Sequence, residues 1–598
     1  MRLPAALTVV AMVIPLSAAA QVDFSGEWSA RYHEDQEHRI PGPLLGDYTG
    51  LPINDAARLK ADSWDASILS LREHQAKPHP STYSLRGPAN IRILKVIDPV
   101  TQRTIGFELF GTFGQATRTI WLDERPHPPA HAPHTWAGFS TGQWNGDTLT
   151  VTTTHLKVGW LQRNGVAHSD RATMVEHFIR HGDVLTVITA IDDPVYLEEP
   201  FIRSTNWVLN PFQELGRTQF DIVDEVAGLQ RGTVPHYLPG SDAARAKLTE
   251  FASARGVPIE AARGGASTIY PEYRIRVRQL LAAGGTNDVE AAPPRPTTPA
   301  PPSPPVVDEA IHVVHVQGNV HFLTGAGANI TVQVGDEGVL VVDSGAPGTS
   351  DRVLAAIEQL TNRPVRIVIN THVHADHVSG NEALGAVGQW LGDNAPGNFG
   401  LPQSGPRVIA HERVLARMGA PTGLPSPVPF AAWPTETFFG ADKELFFNDE
   451  AIQLLHRPAA HTDGDVVVFF RRSDVVSTGD LFVTTGYPLI DEERGGTVEG
   501  LIDALNHILG LTIPKDKQEG GTYVIPGHGR LADEADVVEY RDMVTIVRDR
   551  VRDLARQGRT LAQVKAARPT LDYDGRYGSP DRFIEAIYGE ATRSAAGR

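Results

Sequence analysis

Thr371–Gly380 reads THVHADHVSG, and the fold follows from what surrounds it. His372, His374, Asp376 and His377 fall directly after Val365–Ile369, an apolar, β-branched run with the length of a buried strand. The four polar side chains therefore stand where a strand runs out into a loop. Imidazole and carboxylate are borderline-to-hard donors that suit Zn²⁺ and its neighbours. Alternate residues of an extended segment project to one side, so His372, His374 and Asp376 are expected to converge.

Working outward, the same strand-into-loop placement recurs. Val339–Val342 runs into Asp343, Leu454–Leu455 leads to His461, Val475–Thr478 leads to Gly479-Asp480, and Tyr523–Ile525 delivers Pro526-Gly527-His528. Ser350–Leu360 shows Val353, Leu354, Ile357 and Leu360 at helical spacing, with Thr349 or Ser350 as the N-cap, and a further helix starts near Asn381. Strand-like runs at 311–316, 320–323 and 329–334 precede this region, and Leu501–Leu509 is helical. Strands alternating with helices give an α/β domain. Its closing helix carries Tyr540, Val544, Val547, Val551 and Leu554 as a core-packing seam, ended by Gly558.

The N-terminal half has a different texture. Asn145-Gly146-Asp147 and His181-Gly182-Asp183 are each followed by alternating apolar residues, which is a hairpin signal and predicts a mainly-β unit, a meander or a barrel-like sheet. Helices are expected over 241–256, with Ser241 as N-cap and Gly256 as stop, and over 270–281. Eleven histidines between His33 and His181 are scattered without ligand spacing and read as surface or hydrogen-bonded core residues. The polar and aromatic run from Tyr32 to Gly50 is a candidate pocket lining or, equally, a structural loop.

Residues 1–20 combine Arg2, an apolar run and Ser17-Ala18-Ala19-Ala20, the pattern of a secretory signal peptide. The mature protein is expected to be periplasmic or secreted. Between Pro293 and Pro305, eight of thirteen residues are proline, so this stretch withholds backbone donors and acts as an extended spacer. The chain thus divides into residues 1–20, an N-terminal domain at 21–285, a linker at 286–307 and an α/β domain at 308–598. A formal net charge of -17 with no Lys/Arg block argues against a nucleic-acid partner, and no run is apolar enough for a transmembrane segment. With no cysteine in the chain, any metal must be held by histidines and carboxylates.

In this order, Asp343, the His372-x-His374-x-Asp376-His377 signature, His461, Asp480 and His528 resemble the motifs of the metallo-β-lactamase-fold superfamily. The resemblance covers about residues 308–598. It implies an αββα sandwich with the metal centre at one edge of the sheets. It further implies one zinc held by His372, His374 and His461, a second held by Asp376, His377 and His528, and Asp480 bridging them. Asp343 would be a buried structural carboxylate and Asp376 the catalytic residue. Two cations sharing a water lower its pKa towards about 7, so the implied reaction is hydrolysis of a small-molecule ester, lactone, thioester or amide. The absence of cysteine excludes the β-lactamases that use a cysteine ligand, and the carboxylate at Asp480 is more similar to glyoxalase II and lactonases than to the three-histidine β-lactamases. The alternatives are β-lactam hydrolysis, a mononuclear iron enzyme similar to persulfide dioxygenases, and an N-terminal half that binds a cell-envelope component. The residues leave the oligomeric state open.

Overall fold

A computed structural model describes the chain except residues 1–21, 32–41, 76, 85–88, 112–115, 214, 216–221, 223–231, 284–309, 390–404, 421–423, 516–519 and 597–598. The leader, the proline-rich linker and most of the Tyr32–Gly50 run's first half lie outside the described residues.

The N-terminal strands close into a nine-stranded barrel. Gly26–Ala30 pairs on one side with Phe201–Leu209 and on the other with Ile91–Ile97, which joins the two ends of the sheet. Both expected hairpins are present, Phe139–Asn145 with Thr148–Thr154 and Thr173–His181 with Val184–Asp192. Gly146 and Gly182 at their tips take φ of 60° and 59°, the left-handed region that glycine enters without penalty. One pairing departs from a meander: Arg118–Trp121 and Phe139–Asn145 run parallel, because residues 122–138 cross over between them. Side chains fill the barrel. Trp28, Phe107, Phe178 and Trp207 are buried with the inward aliphatics of the strands, and Arg118 is buried among Ser140, Thr153 and Glu176.

The C-terminal half stacks a seven-stranded and a six-stranded sheet, with helices on both outer faces. Alternation along the strands makes three layers. In Gly338–Val342, Leu340 and Val342 point between the sheets with Phe322, Ile367 and Ile369, against Leu454, Val466 and Val468 of the second sheet. Val339 and Val341 point the other way, under Val353, Ala356 and Ile357 of helix Ser350–Leu360. On the far side, Val467, Val476 and Val524 meet helices Val498–Leu511 and Glu534–Arg556. A strand buried on both faces must be apolar throughout, which is why these runs read so clearly.

One expectation needs correction. Glu534–Arg556 does not close the chain: Leu561–Ala566, Leu571–Tyr577 and Asp581–Ala596 follow, the first opened by a reciprocal cap between Thr560 and Gln563. Thr349 occupies the N-cap of Ser350–Leu360, but its hydroxyl bonds Ala346 O rather than the helix amides. Tyr48, from the candidate pocket run, is a core residue whose hydroxyl donates to Asp62.

The Glu534–Arg556 helix also buries its polar side, and what covers it is the N-terminal half. Lys157 Nζ lies 2.8 and 2.7 Å from Asp533 and Asp536, His74 Nε2 lies 2.8 Å from Asp542, and Arg550 Nη2 donates to Ser63 Oγ at 2.7 Å. Beyond it, Tyr196 OH donates to Asp572 O at 2.8 Å, and Arg576 pairs with Asp170 at 3.1 Å. The two halves are therefore docked through buried, mutually satisfied polar groups. Cleavage within residues 286–307 is expected to leave them co-eluting as one species in gel filtration. Separation into two peaks at low salt would show that the linker alone joins them.

Candidate metal centre

The Val365–Ile369 strand lies between Gly338–Val342 and Arg407–His411, parallel to both, so its C-terminal end opens beside that of its neighbour. Asp343 ends that neighbour with φ of 64°, and its carboxylate is only 2% exposed. It accepts from Thr371 N at 2.8 Å, Thr371 Oγ1 at 2.7 Å and His377 Nδ1 at 2.7 Å. One structural carboxylate thus ties both ends of the histidine stretch to the sheet.

After His374 the chain does not stay extended. His374 is the N-cap of a single helical turn, Ala375–Val378, which breaks the period-two alternation. His372 and His374 consequently gather with His461 and Asp480, whereas Asp376 gathers with His377 and His528. The expectation that His372, His374 and Asp376 converge directly is corrected on this point. All seven sequence-derived residues nevertheless reach one place.

Asp480 stands between the two groups. Its Oδ2 is 3.9 Å from His372 Nε2 and 3.8 Å from His461 Nε2, and its Oδ1 is 3.3 Å from His377 Nε2 and 3.4 Å from His528 Nε2. Close packing holds it there. A Cβ on Gly527 would lie 2.0 Å from Asp480 Oδ1, and one on Gly479 would lie 2.6 Å from Thr371 Oγ1, so both glycines are required by space. Within the first group, His374 Nδ1 is 3.2 Å from His372 Nε2 and 3.0 Å from His461 Nε2. Within the second, His528 Nε2 is 3.2 Å from Asp376 Oδ2.

Each imidazole is held from outside by its other nitrogen. His372 Nδ1 meets Thr371 Oγ1, His377 Nδ1 meets Asp343, His461 Nδ1 meets Leu489 O at 2.7 Å, and His528 Nδ1 meets Gly327 O at 3.1 Å. His374 is turned the opposite way: its Nε2 faces Asp491 Oδ2 at 2.9 Å, which leaves Nδ1 pointing inward. A donor fixed on the outer nitrogen leaves a lone pair on the inner one, the arrangement a metal ligand needs.

Asp491 is the residue that sequence reasoning missed. It lies in the loop at 484–496, and nothing in Asp491-Glu492-Glu493-Arg494 distinguishes it from an ordinary surface turn. Although burial opposes its charge, hydrogen bonds with His374 and Arg494 draw its pKa down to about 2. Asp491→Asn is expected to weaken metal retention by about 10–100-fold, as loss of such an outer partner commonly does. Titration with a competing chelator measures it, and an unchanged affinity would reduce Asp491 to a loop-capping role.

The electrostatics mark the centre as a place for cations. Burial, followed by the neighbouring imidazoles, pushes His372 well below its ordinary pKa. Burial also acts on His377, but Asp343 and Asp480 outweigh it and hold its pKa well above the ordinary value. His528 is similarly raised to about 9, with the neighbouring Asp376 and Asp480 carboxylates overcoming burial. His377 Nε2 and Asp480 Oδ1 are buried and make no hydrogen bond despite their proximity. An orphaned buried polar atom costs about 1–3 kcal/mol, and a shared cation removes that cost for both. The donor set, imidazole nitrogen and carboxylate oxygen without sulfur, fits zinc.

Among the N-terminal histidines, His168 bonds Thr82, His127 bonds Thr141 and Thr154, and His134 bonds Leu156 O, so these three serve local structure.

Residues 323–528 match the family model of the metallo-beta-lactamase superfamily. No curated protein matches the chain. Among solved structures, a double mutant of the sec-alkyl sulfatase PisA1 is 16% identical with a TM-score of 0.36, covering 47% of this chain and 50% of that one. The stereoselective inverting sec-alkylsulfatase Pisa1 from Pseudomonas sp. is 15% identical with a TM-score of 0.35 and the same coverage. The chain spans about half the length of these two structures. A metallo-beta-lactamase from Pontibacter korlensis is 16% identical with a TM-score of 0.28, covering 39% of this chain and 98% of that one.

Proposed function

We propose, from the premise that residues 323–528 are a domain of the metallo-beta-lactamase superfamily, that the protein is an exported hydrolase with two zinc ions per chain, acting on an ester, lactone, thioester or amide. The observation that carries this reading is the position of Asp480, one carboxylate oxygen towards each cluster. His372, His374 and His461 would hold one ion, Asp376, His377 and His528 the other, and Asp480 both.

Bound there, the two cations would supply an acidified water at neutral pH and polarise the scissile carbonyl. The chain's own contribution is order and proton handling. Asp343 and Asp491 set the orientation of His377 and His374 from behind, so the ligand array is arranged before any ion arrives. Among the carboxylates within the two clusters, Asp376 is the one open to substrate: its side chain is 36% exposed against 13% for Asp480. Asp376 would therefore orient the attacking water and take up its proton. In this reading residues 1–20 direct export to the periplasm or beyond, residues 286–307 link the barrel to the catalytic part, and nucleic acid is not a partner.

Two measurements test the proposal. Elemental analysis of protein purified without chelator is expected to give about two zinc ions per chain, and one iron without zinc would replace this reading with the mononuclear iron alternative. A panel of aryl esters, lactones, thioesters, amides and nitrocefin is expected to show turnover of an ester-like substrate. Nitrocefin turnover alone would move the assignment to β-lactams.

A further inference from the structure

A cavity of about 140 Å³ lies away from the metal centre, between the barrel half and the Glu534–Arg556 helix. The N-terminal half lines it with Trp64, Ile68, Trp136 and Trp160, and the C-terminal half with Ile546 and Tyr573. Three indoles and a phenol ring around one small space make a surface for a flat, apolar body. A cavity of roughly 150 Å³ is enough to hold benzene, so the space is sized for one ring.

The cations around it are paired, with one exception. Lys60 pairs with Glu539 at 2.9 Å, Lys157 with Asp533 and Asp536, Arg576 with Asp170, Asp572 with Arg550, and Asp542 with His74 and Arg541. Lys77 also lines the cavity, but its Nζ meets only His74 Nδ1, at 3.4 Å, and no carboxylate forms an ion pair with it among the described residues. The local chain keeps it there. Lys77 precedes Pro78, and Pro80 follows, so the segment is held extended and does not fold the ammonium back into a turn. Burial lowers the pKa of Lys77, while Asp542, Glu534, Glu539 and Glu73 act in the opposite sense from further away. A three-donor cation with a single long hydrogen bond has capacity for an incoming acceptor.

We infer that this cavity is a binding site for a small monocyclic aromatic carboxylate, its ring among Trp64, Trp136 and Trp160 and its anion on Lys77. The site is distinct from the metal centre and does not depend on the hydrolase reading.

The test uses the full-length chain as purified, with benzoate as probe and benzyl alcohol as a neutral counterpart of similar size, read by calorimetry and by tryptophan fluorescence. Benzoate is expected to bind one per chain and at least about tenfold more tightly than benzyl alcohol, the factor that one charge-assisted hydrogen bond provides. Lys77→Met should remove that preference, and Ile68→Trp, which fills the cavity but keeps the ammonium, should abolish binding of both probes. Melting curves check that each variant is folded, and metal content should be unchanged in both. Absence of benzoate binding to the unsubstituted chain overturns the inference. So does equal binding of the two probes, or benzoate binding that survives both substitutions, which would place it elsewhere on the molecule.

Discussion

Asp480→Ala is expected to reduce the bound metal from two ions per chain to one and to lower hydrolysis by more than the 10–100-fold typical of an outer-shell substitution. The reason is positional. Asp480 Oδ1 faces His377 and His528 at 3.3 and 3.4 Å, while Oδ2 faces the first cluster at 3.8 and 3.9 Å. Removing the carboxylate leaves each group with three donors and no shared ligand, and the second, with His528 and Asp376 28% and 36% exposed, holds an ion less firmly against water than the more buried first group. It also removes the negative charge that offsets two cations. Asp480→Ser retains a small polar group and should behave in the same direction, keeping the first ion and losing the second. Metal analysis and rate are measured on the same preparation. Full metal content with full activity in Asp480→Ser would show that Asp480 is not a ligand, and the ester-like substrate assignment would lose its support.

Arg550→Ala is expected to destabilise the protein by about 3–5 kcal/mol, the usual consequence of stranding one partner of a buried ion pair. Arg550 donates to Asp572 Oδ1 at 2.6 Å and Oδ2 at 3.0 Å, with side-chain exposures of 2% and 1%. Its Nη1 also reaches Pro569 O at 2.8 Å and its Nη2 reaches Ser63 Oγ at 2.7 Å. The guanidinium therefore joins the Glu534–Arg556 helix, the Leu571–Tyr577 helix and the barrel half at one point. A fall in melting temperature on the order of 10 °C is expected. Arg556→Ala breaks an exposed pair with Asp553 and should cost under about 1 kcal/mol. The double replacement Arg550→Met with Asp572→Leu should recover much of the loss, since it leaves no unpaired charge inside. Equal melting of Arg550→Ala and Arg556→Ala would mean that the interface does not rely on this pair.

Both expectations concern side chains whose partners lie far away in the chain, and there the sequence was least informative. Asp491 is separated from His374 by more than a hundred positions, and its turn has ordinary composition. Nothing in the sequence marks the polar face of Glu534–Arg556 as buried, because buried ion pairs and exposed ones use the same residue types. The last three helices were missed although Thr560 and Gln563 form a readable capping pair, because Gly558 offered a plausible end.

By itself the sequence determined most of the elements and the inventory of clustered histidines and carboxylates. Strands buried on both faces have to be apolar, hairpin tips have to admit positive φ, and a chain without cysteine can offer a metal only histidine and carboxylate. Those are local constraints, so Val365–Ile369, the two hairpins, the 242–255 helix and all seven clustered residues were legible one at a time. Tertiary structure decided how they are combined. The turn at Ala375–Val378 sorts Asp376 into a different cluster from His372 and His374, the packing of Gly527 against Asp480 sets that carboxylate between the clusters, and docking of the barrel buries Arg550 and encloses the cavity beside Lys77. The first is a break in local alternation, and the other two depend on contacts between residues distant in the chain, none of which local periodicity encodes.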